Sequence, residues 1–209
     1  MSAQLKFLND IVKPWDELNA LLIEQYAFQP DLSDVTTRVT ALSSVIKHQV
    51  DILALERGCR PKKVQQEIDA ESEAARMISD VSDAAKHVRL TDSKRQNSIF
   101  VASMFEVNSE GFFRFLRNGV FVDHATLGRR DFMQIALVAI EYWSRKRQLD
   151  LAWSGKLAEA GMNFFPTAFL HFNPKYCINM SSAQIMFFSR DEAGDLNPFD
   201  PEVVQFEIR

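Results

Sequence analysis

Of the chain's 17 phenylalanines, only Phe7, Phe28 and Phe100 precede Phe105. Aromatic rings suit half-buried pleated surfaces, so this skew sets a helix-forming first half against a strand-bearing second half. The expected class is α+β. A helical bundle over 1–96 is packed with a mainly antiparallel sheet over 97–209, and that second part carries one long helix at 129–149. At 209 residues such a chain can bury a core without disulfide or metal staples.

The helical half is legible from apolar spacing. Phe7, Ile11, Trp15, Leu18, Leu22 and Tyr26 predict a helix over 4–25, with a kink or fresh start at Pro14. Val35, Val39, Leu42, Ile46, Val50 and Leu53 predict a second over 34–57. Ser33 is its expected N-cap and Gly58 its C′ residue, ahead of Pro61. A third helix ends near Val88 and starts either at Pro61 or, after an irregular stretch, at Ser72.

The second half reads as strands around a helix. Residues 98–107 form one strand. Residues 112–117 and 120–125 flank Asn118-Gly119, the strongest short hairpin signal in the chain. That turn would set Arg114 opposite Asp123 and Phe113 opposite His124. Phe132, Ile135, Ala139 and Trp143 mark the apolar stripe of the helix over 129–149. A short helical piece is expected at 155–160, then strands at 167–172, 175–180, 184–190 and 203–209. In the last, Val204, Phe206 and Ile208 should point inward.

Charge excludes a broad phosphate-binding surface. The net charge is −4, and each half of the chain carries −2, so neither half is a basic module. Cys59 and Cys177 stand alone, without C-x-x-C spacing, which points to reduced thiols and a cytoplasmic location. The longest apolar run, 135–140, is too short to span a bilayer. There is no G-x-x-x-x-G-K, G-x-G-x-x-G, H-E-x-x-H or G-x-S-x-G. No cofactor and no metal is assigned.

Two polar clusters remain. At 100° per residue, Arg76, Asp80, Asp83 and His87 fall within a stripe of about 60°. Two carboxylates and an imidazole on one face can ligate a metal, or serve as an acid/base group beside an arginine that holds phosphate. They can equally be a solvated face of i,i+4 pairs. Whether His48 and Asp51 join them depends on 61–71. If that stretch is helical, an antiparallel hairpin sets His48 and His87 about 24 Å apart. If it loops out, His48 faces about Ser82. The second cluster, Lys86, His87, Arg89, Lys94 and Arg95, is either a small RNA, DNA or nucleotide phosphate patch or cations at the negative end of a helix.

The stretch Ile78-Ser79-Asp80-Val81-Ser82-Asp83-Ala84-Ala85-Lys86-His87-Val88-Arg89-Leu90 resembles one in uncharacterised bacterial proteins. There a helical bundle with a D-x-x-x-A-x-K-H-like signature precedes a small β unit. Residues 35–90 also resemble the helical part of the HEPN superfamily of ribonucleases and defence or toxin proteins. HEPN nucleases place four to six residues between an arginine and a histidine on one helix. Here Arg76 and His87 have ten between them, Arg38 and His48 nine, and Arg117 and His124 six across the expected turn. The resemblance thus implies a relationship of fold and carries no catalytic role.

Three functional expectations follow. The first is a non-catalytic interaction or accessory protein, of the stress or defence kind, working as a homo-oligomer or with a protein partner. The second is an RNA- or nucleotide-directed hydrolase using Asp80, Asp83, His87 and Arg76, with Lys86, Arg89, Lys94 and Arg95 on the nucleic acid. The third is a small-ligand binder.

Overall fold

The computed structural model describes residues 2–24, 32–86, 91–170 and 184–208. The class is α+β, helical towards the N-terminus and sheet-forming towards the C-terminus. The chain forms two compact units. The first draws on 1–18, 36–99 and 121–157, the second on 19–35, 100–120 and 158–209. No helix among the described residues is long and apolar enough to cross a membrane.

Helix α1 (Ala3–Phe7) runs through a π turn at Leu8–Val12 into α2 (Lys13–Leu22). The extra residue in that turn answers Pro14, which has no N–H to give and whose ring would strike the carbonyl one α-turn back. The interruption expected at Pro14 is this π turn just before it, and α-helical pairing starts afresh at Lys13. Phe7, Ile11, Trp15, Leu18 and Leu22 are all buried. Helix α3 (Leu32–Lys47) already includes Ser33 in its first turn, so Ser33 is not the N-cap. After a break at His48 comes α4 (Gln49–Glu56). It ends as the sequence predicts: Gly58 takes φ 61°, Gly58 N donates to Leu55 O (3.2 Å) and Cys59 N to Ala54 O (2.9 Å), the paired bonds of a Schellman motif.

The third helix is two helices: the stretch from Pro61 is helical, not irregular, but it does not run on unbroken. Helix α5 (Pro61–Glu71) starts with proline at its first position, and α6 (Glu73–Lys86) follows a one-residue break at Ser72. Ser72 is extended (φ −142°, ψ 106°), which ends α5, and its Oγ accepts from Ala75 N at 3.2 Å, which caps α6.

The Asn118-Gly119 hairpin does not form. Strand β1 (Asn97–Val107) is followed by one continuous strand, β2 (Phe113–His124), that runs straight through the dipeptide. Asn118 is fully buried, its Oδ1 accepting from Ser103 Oγ at 2.7 Å. The reversal falls instead at residues 108–112. There Asn108 Oδ1 accepts from Glu110 N and Phe112 N, and Gly111 takes φ 79°. A second reversal, with Gly128 at φ 70°, leads into β3 (Gly128–Asp131). The long helix α7 (Phe132–Lys146) thus starts three residues later than expected, capped by Asp131, whose Oδ1 accepts from Met133 N at 2.9 Å. Its stripe of Phe132, Ile135, Ala139 and Trp143 is buried as expected.

Residues 155–160 form no helix. Strands β4 (Ala168–Leu170), β5 (Gln184–Arg190), β6 (Leu196–Pro198) and β7 (Phe206–Ile208) complete the chain, and the expected strand at 175–180 lies outside the described residues. The main sheet has the order β3-β2-β1-β5-β6 and is mixed, because β1 and β5 run parallel with Phe105 beside Phe187. Strands β4 and β7 form a separate parallel pair. The core of the second unit is Phe105, Val107, Phe113, Ala168 and Leu170, with Phe115, Ile185, Phe187 and Val204 packed against it. The expected inward alternation of the last strand fails, since Phe206 and Ile208 are 45% and 58% exposed.

Candidate functional site

The break at Ser72 turns α6 back along α3. Ser44 Oγ lies 3.3 Å from Ser82 Oγ, and Lys47 Nζ donates to Asp83 Oδ1. The pairing is the one anticipated for a looped-out 61–71, although that segment is helical. His48 nevertheless stays outside the cluster: its side chain is 60% exposed and pairs with Asp51 at 3.0 Å.

Asp80 is the centre of this region, with its side chain only 5% exposed. Oδ1 accepts from Arg95 Nε at 2.5 Å and Oδ2 faces His124 Nε2 at 3.2 Å. Arg95 also donates through Nη2 to Asp83 Oδ2 at 2.6 Å, so one guanidinium spans both carboxylates. A 3-10 turn at Ser93–Arg95 aims it, capped by Asp92 Oδ1 accepting from Lys94 N. The tautomer of His124 follows from its other nitrogen. Nδ1 accepts from Thr126 N (3.2 Å) and Leu127 N (3.3 Å), so the ring proton sits on Nε2 and is donated to Asp80. Burial alone would raise the Asp83 carboxyl, but the bonds from Lys47 and Arg95 outweigh it and hold the group below its ordinary value.

Of the sequence-marked residues, the structure joins Asp80 and Asp83 and leaves Arg76 apart. Arg76 is half-buried, and Asp80 is held by Arg95 and His124, so the i,i+4 pair does not form. His87 and Arg89 lie outside the described residues. Of the basic cluster, Lys86 and Lys94 are exposed while Arg95 is turned onto the two carboxylates. His124 was expected beside Phe113; it is instead a buried partner of Asp80. Among the described residues no group of three or more His, Cys, Asp or Glu side chains could hold a metal ion.

The second unit contains a cluster that no motif announced. Glu106, Arg114, Glu159 and Arg190 alternate in charge. Arg114 Nη2 donates to Glu106 Oε2 and to Glu159 Oε2 (2.9 Å), and Arg190 Nη2 to the same two carboxylates at 3.3 and 3.1 Å. Arg114 is 3% exposed and lies 5.6 Å from the centroid of the Phe164 ring. Burial pushes the Glu106 and Glu159 carboxyls up, and the arginine bonds bring both below their ordinary range. The expected Arg114–Asp123 pair is absent; Asp123 binds Arg129 at 2.8 Å. The sequence did hold a signal: a lone Glu in Met104-Phe105-Glu106-Val107 and a lone Arg in Phe112-Phe113-Arg114-Phe115 are charges on strands otherwise committed to a core.

Two clefts open on this unit. One, of about 750 Å³, lies between Glu106, Phe113, Ser189, Arg190, Phe199 and Val203. The other, of about 150 Å³, is lined by five phenylalanines. Comparison with protein-family models, with curated proteins and with solved structures finds no match.

Proposed function

We propose that the protein is a non-catalytic interaction or accessory protein that self-associates through its second unit. The observation that carries this reading is strand β7. It pairs only with β4 among the described residues, and it presents Phe206 and Ile208 at 45% and 58% exposure. Apolar side chains left exposed on a strand form a surface that a second copy of the chain can cover. Phe112, Met162, Phe165, Phe199 and Val203, all of the same unit, are also exposed. A cytoplasmic location and a stress or defence role belong to the same reading. They rest on the spacing of the two cysteines in the sequence and on the helical resemblance.

The RNA- or nucleotide-directed hydrolase reading asks more of the molecule. Asp80 and Asp83 would have to release Arg95 and Lys47 before either could act as a base or ligand. The interaction reading requires no such rearrangement.

Light scattering over a concentration series tests it. The wild-type chain should grow in mass as concentration rises, and Ile208→Lys should return it to the monomer with an unchanged circular dichroism spectrum. A wild-type chain that stays monomeric throughout overturns the proposal.

A further inference from the structure

The smaller cleft of the second unit is built to a definite size. Its walls are Phe105 on β1, Phe113 and Phe115 on β2, Phe165 on the following loop and Phe169 on β4, closed by Ala160 and Gly161. The rings are braced against one another, Phe105 on Phe115 at 5.8 Å and Phe165 on Phe169 at 5.0 Å, both edge-on. The loop is pinned to the sheet at two points. Ala160 N donates to Leu116 O (2.6 Å), and Phe113 and Phe165 exchange both backbone bonds at 2.7 and 2.9 Å. The volume of the cleft is about 150 Å³, and it opens to solvent past the exposed Phe165. A space of roughly that size is enough for one benzene ring.

Two polar side chains also line the cleft. Asn163 and Thr167 make no side-chain hydrogen bond within the described part of the protein. A pocket of apolar walls with a few free polar groups fixes a ligand's orientation through those groups. We infer that this cleft is a binding site for a single small aromatic ring bearing a hydrogen-bonding substituent, of the phenol class. The ring meets the edges and faces of the five phenylalanines, and its hydroxyl meets Thr167 or Asn163. The inference does not require self-association, although Phe165 belongs both to the cleft and to the exposed apolar surface of the second unit.

Gly161 supplies the variant. A Cβ built there meets nothing within 4 Å, and its φ lies outside the left-handed region, so Gly161→Phe adds a ring at the rim of the cleft without backbone strain. Titration calorimetry of the full chain with phenol, toluene and cyclohexanol is the measurement. Phenol should bind saturably and more tightly than toluene by about fivefold, the size of one net hydrogen bond. Cyclohexanol, which lacks the flat ring, should bind less tightly than phenol. Gly161→Phe should abolish phenol binding while keeping the wild-type melting temperature. Thr167→Val combined with Asn163→Leu should erase the preference for phenol over toluene. Absence of saturable phenol binding by the wild type, or phenol binding equal in wild type and Gly161→Phe, overturns the site. A phenol preference that survives loss of both polar side chains overturns the assignment of the hydroxyl.

Discussion

Asp80 and Arg76 lie one helical turn apart on α6 and have opposite fates. Asp80 is buried and accepts from a guanidinium and an imidazole, whereas Arg76 is half-buried and is not part of that network. Removing a buried acceptor leaves its donors facing nothing, and the penalty is that of an unpaired polar group. Asp80→Ala should therefore cost about 2–4 kcal/mol in urea unfolding. Arg76→Ala should stay within about 0.5 kcal/mol of wild type, as changes away from a buried polar network do. Equal effects of the two would sink the assignment of Asp80 as the centre. At this scale the sequence marked Asp80 and Asp83 by their spacing on one helix face. It could not mark Arg95, His124 or Lys47 as their partners, because each reaches them from a different element and a period within one helix carries no information about partners across the fold.

Elements were most legible where a single apolar stripe decided them. The stripes on α2, α3, α4 and α7 are buried residue for residue as the spacing predicts, apart from Tyr26, which lies outside the described residues. Local turn chemistry was a poorer guide, because two Asn-containing stretches competed for one reversal. Asn118-Gly119 has the stronger intrinsic preference, yet a turn there would break β2, a continuous strand of twelve residues, in its middle. The reversal at residues 108–112 keeps that ladder intact and frees Asn118 to bond Ser103. Tertiary pairing thus overrides dipeptide preference. Gly111, at φ 79°, then carries the conformational demand. Gly111→Ala should destabilise by about 1 kcal/mol through left-handed strain alone, since nothing stands within 4 Å of the added Cβ. Gly111→Asn, which tolerates that region, should recover part of the loss. An unaffected unfolding midpoint in Gly111→Ala would place the turn elsewhere.

At the scale of the whole molecule, the α+β class follows from where the phenylalanines fall, but the make-up of the units does not. Each unit is assembled from three separate stretches, and the boundaries pass through α2, α3, β1 and β2. Periodicity continues smoothly across such a crossing and gives no sign of it. The two units share a physical habit, however. Each ties elements distant in sequence with carboxylates bonded to cations: Asp83 and Asp80 in the first, Glu106 and Glu159 in the second. Asp83, Glu106 and Glu159 are held below their ordinary values of 3.8, 4.5 and 4.5, because hydrogen bonds from lysine and arginine outweigh burial. A carboxylate depressed in the folded chain adds stability that is fully present above its ordinary value and is lost as pH falls through the folded one. The urea midpoint should accordingly be level from pH 7 down to about 5 and drop steadily below about 4.5. All three tryptophans, Trp15, Trp143 and Trp153, belong to the first unit. Their fluorescence follows that unit alone, and amide exchange along β5 follows the second. Replacing Glu106 with Gln removes one of the titrating groups of the second unit, so its own acid sensitivity should lessen while the tryptophan transition keeps its pH dependence. A wild-type midpoint that holds steady to pH 3 would mean that the carboxylates interact as strongly in the unfolded chain as in the folded one.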